Sequence, residues 1–330
     1  MTKSAFFGNN QYDLDRVYVQ QYRDQITQLC DVHPITITTK NIEEQMPLLE
    51  KLEVIFSTWG MFPFSQEQLA LLPNLKAVFY AAGTVKGFAV PFLERGITVV
   101  SAWVANAVPV AEFTCAQILL ANKGFFRNIR DSKSPQTRPN AFRGNGNFGQ
   151  TIALLGAGVI GTKVIELLRP FNLKVIVFDP FLSNEKSNFL GVKKVELNEA
   201  FARGMVVSNH LADVPATKGL LKKEHFSSMQ KNAVFINTGR GATVIEDDLI
   251  SVLRERPDLT ALLDVTYPEP PTQDSPFYEL PNIFLSGHIA GSIGGEVERM
   301  AETMIQEFIN WRDAKPLRYA VSLDMLKTMA

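Results

Sequence analysis

Short apolar runs alternate with amphipathic stretches along most of the chain. Ser4-Ala-Phe-Phe7, Val54-Ile-Phe-Ser57, Ala77-Val-Phe-Tyr80 and Ile97-Thr-Val-Val100 are short and mostly apolar, the pattern of strands covered on both faces. Pro34-Ile-Thr-Ile-Thr38 alternates and predicts a further strand. Between these runs, Asp15 to Leu29 spreads Val17, Val19, Tyr22, Ile26 and Leu29 over a wide helical face. Asn41 stands as a cap before a helix with Glu43 and Glu44 in its first turn. Gln66 to Leu72 reads as a short helix, and Phe88 to Arg95 as a helix ended by Gly96. Strands alternating with helices imply a parallel sheet with helices on its faces.

Pro109 to about Arg130 is apolar nearly all round, through Val110, Ala111, Phe113, Ala116, Ile118, Leu119 and Leu120. It predicts one long helix buried in a core or an interface. Residues 132–147 are polar and rich in Pro, Gly and Asn, a loop or extended arm. The alternation then resumes with Val192 to Val195, Met205-Val-Val-Ser208, Ala233-Val-Phe-Ile236, Leu262-Leu-Asp-Val265 and Ile283-Phe-Leu285. A last helix, from about Gly294 to Trp311, carries Val297, Met300, Ala301, Met304, Ile305 and Phe308 on one stripe. The tail from Pro316 to Ala330 has apolar spots at Leu317, Val321 and Leu326 and needs a surface, which the first domain can offer.

The second set of strands opens with a feature of its own. Thr151-Ile-Ala-Leu-Leu155 runs into Gly156-Ala-Gly158-Val159-Ile160-Gly161, a helical stretch follows, and Lys174-Val-Ile-Val-Phe178 ends at Asp179. Strand, glycine turn, helix, strand and acid make a unit that binds a dinucleotide. Gly156 permits the tight turn, Gly158 lets backbone approach a pyrophosphate, and Gly161 lets helix pack on strand. The helix start presents free N–H groups and a positive dipole end to the phosphates. Asp179 would accept the adenosine ribose hydroxyls. Pro180 and Phe181 follow it with no Arg, so a 2′-phosphate finds repulsion and no adjacent cation, which favours NAD over NADP. No such glycine motif occurs in the first hundred residues, which would not bind a dinucleotide by that route.

Composition narrows the class. A chain of 330 residues suggests two domains. The net charge of -1 gives no reason to expect nucleic acid or an anionic membrane as partner. Cys30 and Cys115 lie in apolar, helix-like surroundings from which no disulfide or metal site can be read, and a cytoplasmic setting is expected. The first eight residues turn polar too soon for a signal peptide, and no run of 18 apolar residues appears.

In an open parallel sheet, ligands sit beyond the carboxyl ends of the strands. Arg240, in Asn237-Thr-Gly-Arg-Gly241, falls at such an end, as do Asp264, Glu269 in Tyr267-Pro-Glu-Pro270, and His288. A cation, a carboxylate and an imidazole beside a nicotinamide suit hydride transfer to a 2-oxo acid. Arg binds a substrate carboxylate with two parallel donors. His supplies a proton to the carbonyl oxygen as hydride arrives, and a neighbouring carboxylate favours the protonated ring. His210 and Thr238, also at strand ends, are candidate cofactor contacts. His33 and His225 have no motif around them and read as structural.

On these residues the chain resembles the D-isomer-specific 2-hydroxyacid dehydrogenase family. Matching segments are Val110-Ala-Glu-Phe113, Gly156 to Gly161 with Asp179, Asn237 to Gly241, Asp264 to Pro270 and His288-Ile-Ala-Gly291. The resemblance implies an α/β fold of two doubly wound parallel-sheet domains. A Rossmann NAD-binding domain, residues 105–311, would be inserted into a flavodoxin-like substrate domain made of 1–104 and 312–330. It implies that Arg240 binds the substrate carboxylate, that His288 is the acid/base with Glu269 as its partner, and that Asp264 faces the nicotinamide amide. It also implies that Ala81-Ala82-Gly83-Thr84 offers backbone N–H groups to the carboxylate, and that a homodimer forms on the Pro109 helix and the arm.

The resemblance has local departures. His210-Leu-Ala-Asp-Val214 stands where the family often reads His-x-Pro-x-Thr, Gly239 where Ala is usual, and Ser286-Gly287 where Thr-Pro is usual. Trp59, Phe62 and Trp103 are candidates for the substrate side-chain pocket. The expected activity is NAD-dependent interconversion of a small 2-oxo acid and its D-2-hydroxy acid. The alternative is an NAD(H)-sensing corepressor of the same fold, which would bind NADH without turnover.

Overall fold

Every apolar run singled out before position 101, except one, is a strand of a single sheet. The computed structural model describes residues 1–329, in two units: 1–106 with 292 onward, and 107–291. In the first, β1 (Thr2–Phe7), β2 (Cys30–Val32), β3 (Val54–Ser57), β4 (Ala77–Tyr80) and β5 (Thr98–Ser101) are parallel, in the order β2-β1-β3-β4-β5. A tail strand, Ala320–Val321, adds antiparallel to β5, so the tail packs on the first unit as expected.

The exception is Pro34–Thr38. The strand lies upstream, at Cys30–Val32, and of the expected run only Ile37 bridges to the sheet, at Phe7. Asn41 explains why. Its side chain accepts from Thr38 N (2.8 Å) and donates to the Thr36 carbonyl (2.9 Å), folding the segment into a turn. Asn41 therefore makes no side-chain cap for the helix Ile42–Gln45. The stretch from Asp15 to Leu29 is also two helices, Gln11–Val17 and Gln20–Leu29. The break at Tyr18 turns its ring into the core, where its hydroxyl donates to the Ser57 carbonyl.

One face of this sheet is an aromatic layer. Phe56 stacks on Phe79 at 5.7 Å, and Phe308 meets both edge-on at 5.4 and 5.6 Å. Phe308 comes from the last helix, Glu298–Arg312, whose Met300, Ala301, Met304 and Ile305 are buried in the same cluster. Burying each of the Phe, Met and Ile side chains stabilises by about 1.5–3 kcal/mol. The helix thus belongs to the first unit. The boundary expected after residue 311 lies after 291 instead, because the apolar stripe is satisfied by β3 and β4. Glu307 on that helix is buried, and its carboxylate accepts the N–H groups of Arg318 (2.9 Å) and Tyr319 (3.1 Å), which ties down the tail.

The second unit holds seven parallel strands: β6 (Thr151–Leu155), β7 (Lys174–Phe178), β8 (Lys193–Lys194), β9 (Val206–Asn209), β10 (Val234–Asn237), β11 (Thr260–Leu263) and β12 (Ile283–Leu285). Their order, β12-β11-β10-β9-β6-β7-β8, reverses direction at β6 and β9, the switch point where a ligand crevice opens. The long helix expected from Pro109 starts earlier and ends sooner, as Trp103–Asn122 with a second helix at Phe125–Asp131. Gly124, at φ +70°, breaks it. The break admits the arm: a Cβ on Gly144 would lie 2.2 Å from Gly124 N, and Gly146 N donates to the Asn122 carbonyl at 2.9 Å. Trp103–Asn122 is long and apolar enough to cross a membrane by composition alone. Here its Ala111, Ile118 and Ala121 are buried in one cluster with Ile152, Leu154 and Val177 of β6 and β7.

Candidate active site and dinucleotide turn

The three glycines of the turn after β6 differ in what surrounds them. Gly156 has φ +99°, a conformation open to glycine, and a Cβ there would meet the His210 carbonyl at 2.9 Å. A Cβ on Gly161 would lie 2.1 Å from the Gly156 carbonyl oxygen, so helix and turn touch backbone to backbone. Gly158 has nothing within 4 Å of that position. It is the N-cap of the helix Val159–Leu168 and makes no side-chain cap, which leaves the first N–H groups and the space before them to a ligand. A pyrophosphate fits this arrangement, and the N–H groups of Val159 and Ile160 could hold it.

Asp179, at the end of β7, grips the same turn. Its carboxylate accepts from Ala157 N at 2.7 Å and Phe181 N at 2.8 Å, leaving lone pairs for further donors. Lys186 also reaches the turn, its Nζ 3.1 Å from the Ala157 carbonyl. A cation therefore stands at the same turn, though not in the run that directly follows Asp179. The lysine is seven residues downstream, on the helix Asn184–Leu190, and only folding brings it back.

Across the sheet, His288 and Glu269 meet directly, with His288 Nδ1 2.5 Å from Glu269 Oε1. Nε2 takes no hydrogen bond from the described residues. Both side chains are about half exposed, at 51% and 41%. His288 has φ +56°, uncommon for a residue with a Cβ. Such strain persists only where the surroundings enforce it. Asp264 does so: its backbone carbonyl accepts His288 N (3.0 Å), and its carboxylate accepts Ile289 N (2.9 Å), Ala290 N (2.9 Å) and the Ser286 hydroxyl (2.6 Å). Asp264 is 2% exposed, and every one of these contacts goes to the histidine loop.

Arg240 follows β10 in the turn before Gly241 and donates from Nη1 to the Gly239 carbonyl at 2.7 Å. Burial pulls its guanidinium pKa down, and the nearby carboxylates of Asp213 and Glu269 oppose that. Asp213 belongs to the 210–214 run that departs from the family pattern. His210 stacks its two nitrogens between hydroxyls, Nε2 at 3.0 Å from Ser208 Oγ and Nδ1 at 3.5 Å from Thr238 Oγ1. Thr238 in turn meets Thr114 at 3.0 Å. Burial pushes His210 down to about 4, so it is neutral near pH 7.

Glu246 has no signal in the sequence beyond an acid at a helix start. It accepts Tyr267 N at 2.7 Å, and burial pushes it up to about 7, with Asp247 adding repulsion. A carboxyl raised from 4.5 to about 7 binds its proton more tightly in the folded chain. Its contribution to stability is therefore full below about pH 4 and is lost as pH rises through about 7. Glu246→Gln lacks that loss. Its melting temperature relative to the parent should rise between pH 5 and pH 8, and a constant difference would contradict the burial of this group.

In the first unit, loop 81–84 follows β4. Thr58 Oγ1 donates to the Ala81 carbonyl at 2.8 Å, and Ser101 Oγ lies 2.8 and 2.5 Å from the carbonyls of Ala82 and Gly83. In a trans peptide the N–H points opposite the C=O. Carbonyls drawn inward therefore turn the N–H groups of Gly83 and Thr84 outward, as a carboxylate site needs. Of the proposed side-chain pocket, Phe62 is 5% exposed and stacks on Phe64 at 5.3 Å within the core, so it cannot form a wall. Trp59, under the Arg16 guanidinium at 4.7 Å, and Trp103, at 6.2 Å from Tyr319, are only partly buried.

The chain is similar to several known proteins. The D-3-phosphoglycerate dehydrogenase of Methanocaldococcus jannaschii is 29% identical over 293 residues, 87% of this chain and 55% of that protein. The chain spans about half the length of the curated relatives it matches. Among solved structures, the apo D-mandelate dehydrogenase of Rhodotorula graminis superposes with a TM-score of 0.81 at 18% identity, covering 97% of each chain. A phosphoglycerate oxidoreductase from Rhizobium etli gives 0.80 at 21%, covering 99% of this chain and 100% of its own. The family model for the NAD-binding domain of D-isomer-specific 2-hydroxyacid dehydrogenases matches residues 115–290. That match takes in more than half of the 330 residues and both the glycine turn and His288, and the chain belongs to this family.

Proposed function

We propose that this protein interconverts a small 2-oxo acid and its D-2-hydroxy acid, with NAD as the redox cofactor. Bound NADH supplies hydride to the substrate carbonyl carbon. Arg240 clamps the substrate carboxylate and polarises the carbonyl; in the first unit, the outward N–H groups of Gly83 and Thr84 suit an anion. His288 gives a proton to the carbonyl oxygen from Nε2, since Nδ1 is engaged by Glu269. Gly156, Gly158, Val159, Ile160 and Gly161 seat the pyrophosphate, Asp179 the adenosine ribose, and His210, Thr238 and Asp264 line the nicotinamide side. The observation that carries this reading is the His288–Glu269 pair on a strained residue held by Asp264. A panel of 2-oxo acids from glyoxylate to branched and phosphorylated ones, assayed with NADH, tests it. At least one should be reduced, to the D product. A protein that binds NADH and oxidises none of it would be a sensor instead.

Cofactor choice follows from Asp179 and Lys186. Losing hydrogen bonds to a charged group costs about 1.5–3 kcal/mol, so Asp179→Ala should weaken NADH binding by about tenfold to a hundredfold. The NADH/NADPH preference should narrow, since Lys186 remains to meet a 2′-phosphate. Fluorescence titration with both nucleotides checks this, and an unchanged ratio counts against the ribose role.

A homodimer and a cytoplasmic setting complete the reading. Leu120, Phe125, Ile129 and Phe148 are 40%, 43%, 44% and 81% exposed on the two helices and the arm. Asn147, the residue before Phe148, donates to the Leu119 carbonyl. Light scattering should give twice the chain mass of 36.8 kDa. Ile129→Asp with Phe148→Asp should give a monomer; a monomeric parent sinks the dimer.

A further inference from the structure

We propose that Glu246 is a positioning residue for the acid–base pair: it fastens the loop that carries Glu269 to the loop that carries Arg240. The inference deepens the reading above and rests on its roles for Glu269 and His288. Glu246 opens the helix Glu246–Glu255, six residues after Arg240, and accepts Tyr267 N at 2.7 Å. Tyr267 is two residues before Glu269. One position earlier, a Cβ on Gly241 would lie 2.1 Å from the Thr266 carbonyl carbon and 2.2 Å from its oxygen. The two loops thus touch backbone to backbone at Gly241 and Thr266, and Glu246 adds the polar tie at the next residue.

From there the restraint passes to Glu269 with little slack. Thr266 Oγ1 donates to the Pro268 carbonyl at 2.8 Å, and Glu269 stands between Pro268 and Pro270, whose rings fix φ. Glu269 then holds His288 Nδ1.

An acid at a helix start often serves only its own helix. Asp247 and Asp248 already fill the first turn here, and Asp248 accepts Lys223 N at 2.9 Å. Glu246 turns away to a neighbouring loop, where burial disfavours its charge. Lys218 lies over the Tyr267 ring at 5.5 Å.

The test uses the full chain with Glu246→Ala, Glu246→Gln and Glu246→Asp. Gln keeps an acceptor oxygen at the same reach; Asp keeps the charge and falls one methylene short. Misplacing a catalytic group by about 1 Å can cost about a hundredfold. For the best 2-oxo acid, Ala should therefore lower kcat by about ten- to a hundredfold and Asp by less. Gln should come within about threefold of the parent, with KM and NADH affinity little changed throughout. Amide exchange at Thr266, Tyr267 and Glu269 should quicken in Ala and not in Gln. Wild-type kcat in a folded Ala variant, equal losses in Ala and Gln, or unchanged exchange in Ala would each overturn the proposal. A parent that reduces no 2-oxo acid defeats the proposed reaction instead, and exchange at Tyr267 still decides whether Glu246 holds the loop.

Discussion

His288→Gln lowers NADH-dependent reduction of the best 2-oxo acid by about 10²–10⁴-fold, the usual worth of a general acid, and leaves NADH affinity close to that of the parent. Gln is similar in reach and can still hydrogen-bond Glu269, so substrate and cofactor meet a site of nearly the same shape. It has no proton to release near neutral pH. The backbone ties around residue 288 run from Asp264 to the N–H groups of His288, Ile289 and Ala290, and none uses the imidazole. The loop should therefore keep its place, and the loss should fall on kcat. A His288→Gln protein as fast as the parent with every accepted substrate would refute the acid–base role. Glu269→Gln, which keeps a hydrogen bond and removes a charge, should lose less than His288→Gln does.

Asp264→Asn should be the most costly near-isosteric change in the chain. The buried carboxylate accepts three donors, two at Oδ1 and one at Oδ2. An amide can keep its oxygen toward Ser286 and Ile289 only by aiming its NH₂ at the Ala290 N–H, donor against donor, or the reverse. A buried group left without its partner costs about 1–3 kcal/mol. The ties that hold His288 at φ +56° weaken with it, and that conformation itself costs about 1–3 kcal/mol. The melting temperature should fall by several degrees, at about 2–4 °C per kcal/mol for a domain of this size. kcat should fall by about tenfold or more, because the histidine no longer sits at one angle to Glu269. A variant that melts lower and turns over normally would separate the loop's stability from its chemistry.

The parts of this site that local sequence dictates were open to reading before the structure. The glycine turn is local: strand, turn, helix and acid lie within 29 residues, and each glycine meets a constraint from its immediate neighbours. Arg240, Glu269 and His288 end up near one another because each follows a strand of one parallel sheet, and parallel strands bring their carboxyl ends to one side. Residues defined by partners distant in sequence were not readable. Lys186 reaches Ala157 from 29 positions away, and Glu246 reaches Tyr267 from 21. Asp264 was legible as a site residue but not as the anchor of the histidine loop, since its donors lie 22 to 26 residues on. The errors have the same origin. Pro34–Thr38 alternates like a strand, yet a side chain from Asn41 turns it, and the stripe on Glu298–Arg312 does not say which sheet it covers.

The pinned carbonyls of loop 81–84 carry one more consequence. The groups that orient this loop are two hydroxyls, and the donors that it turns outward are amides. None of them gains or loses a proton in any pH range where the protein is folded. An anion seat built this way has a fixed polarity, indifferent to acidity and only weakly to salt, because it holds no net charge to screen. Any variation of its anion affinity with pH must then arise from groups other than the seat itself.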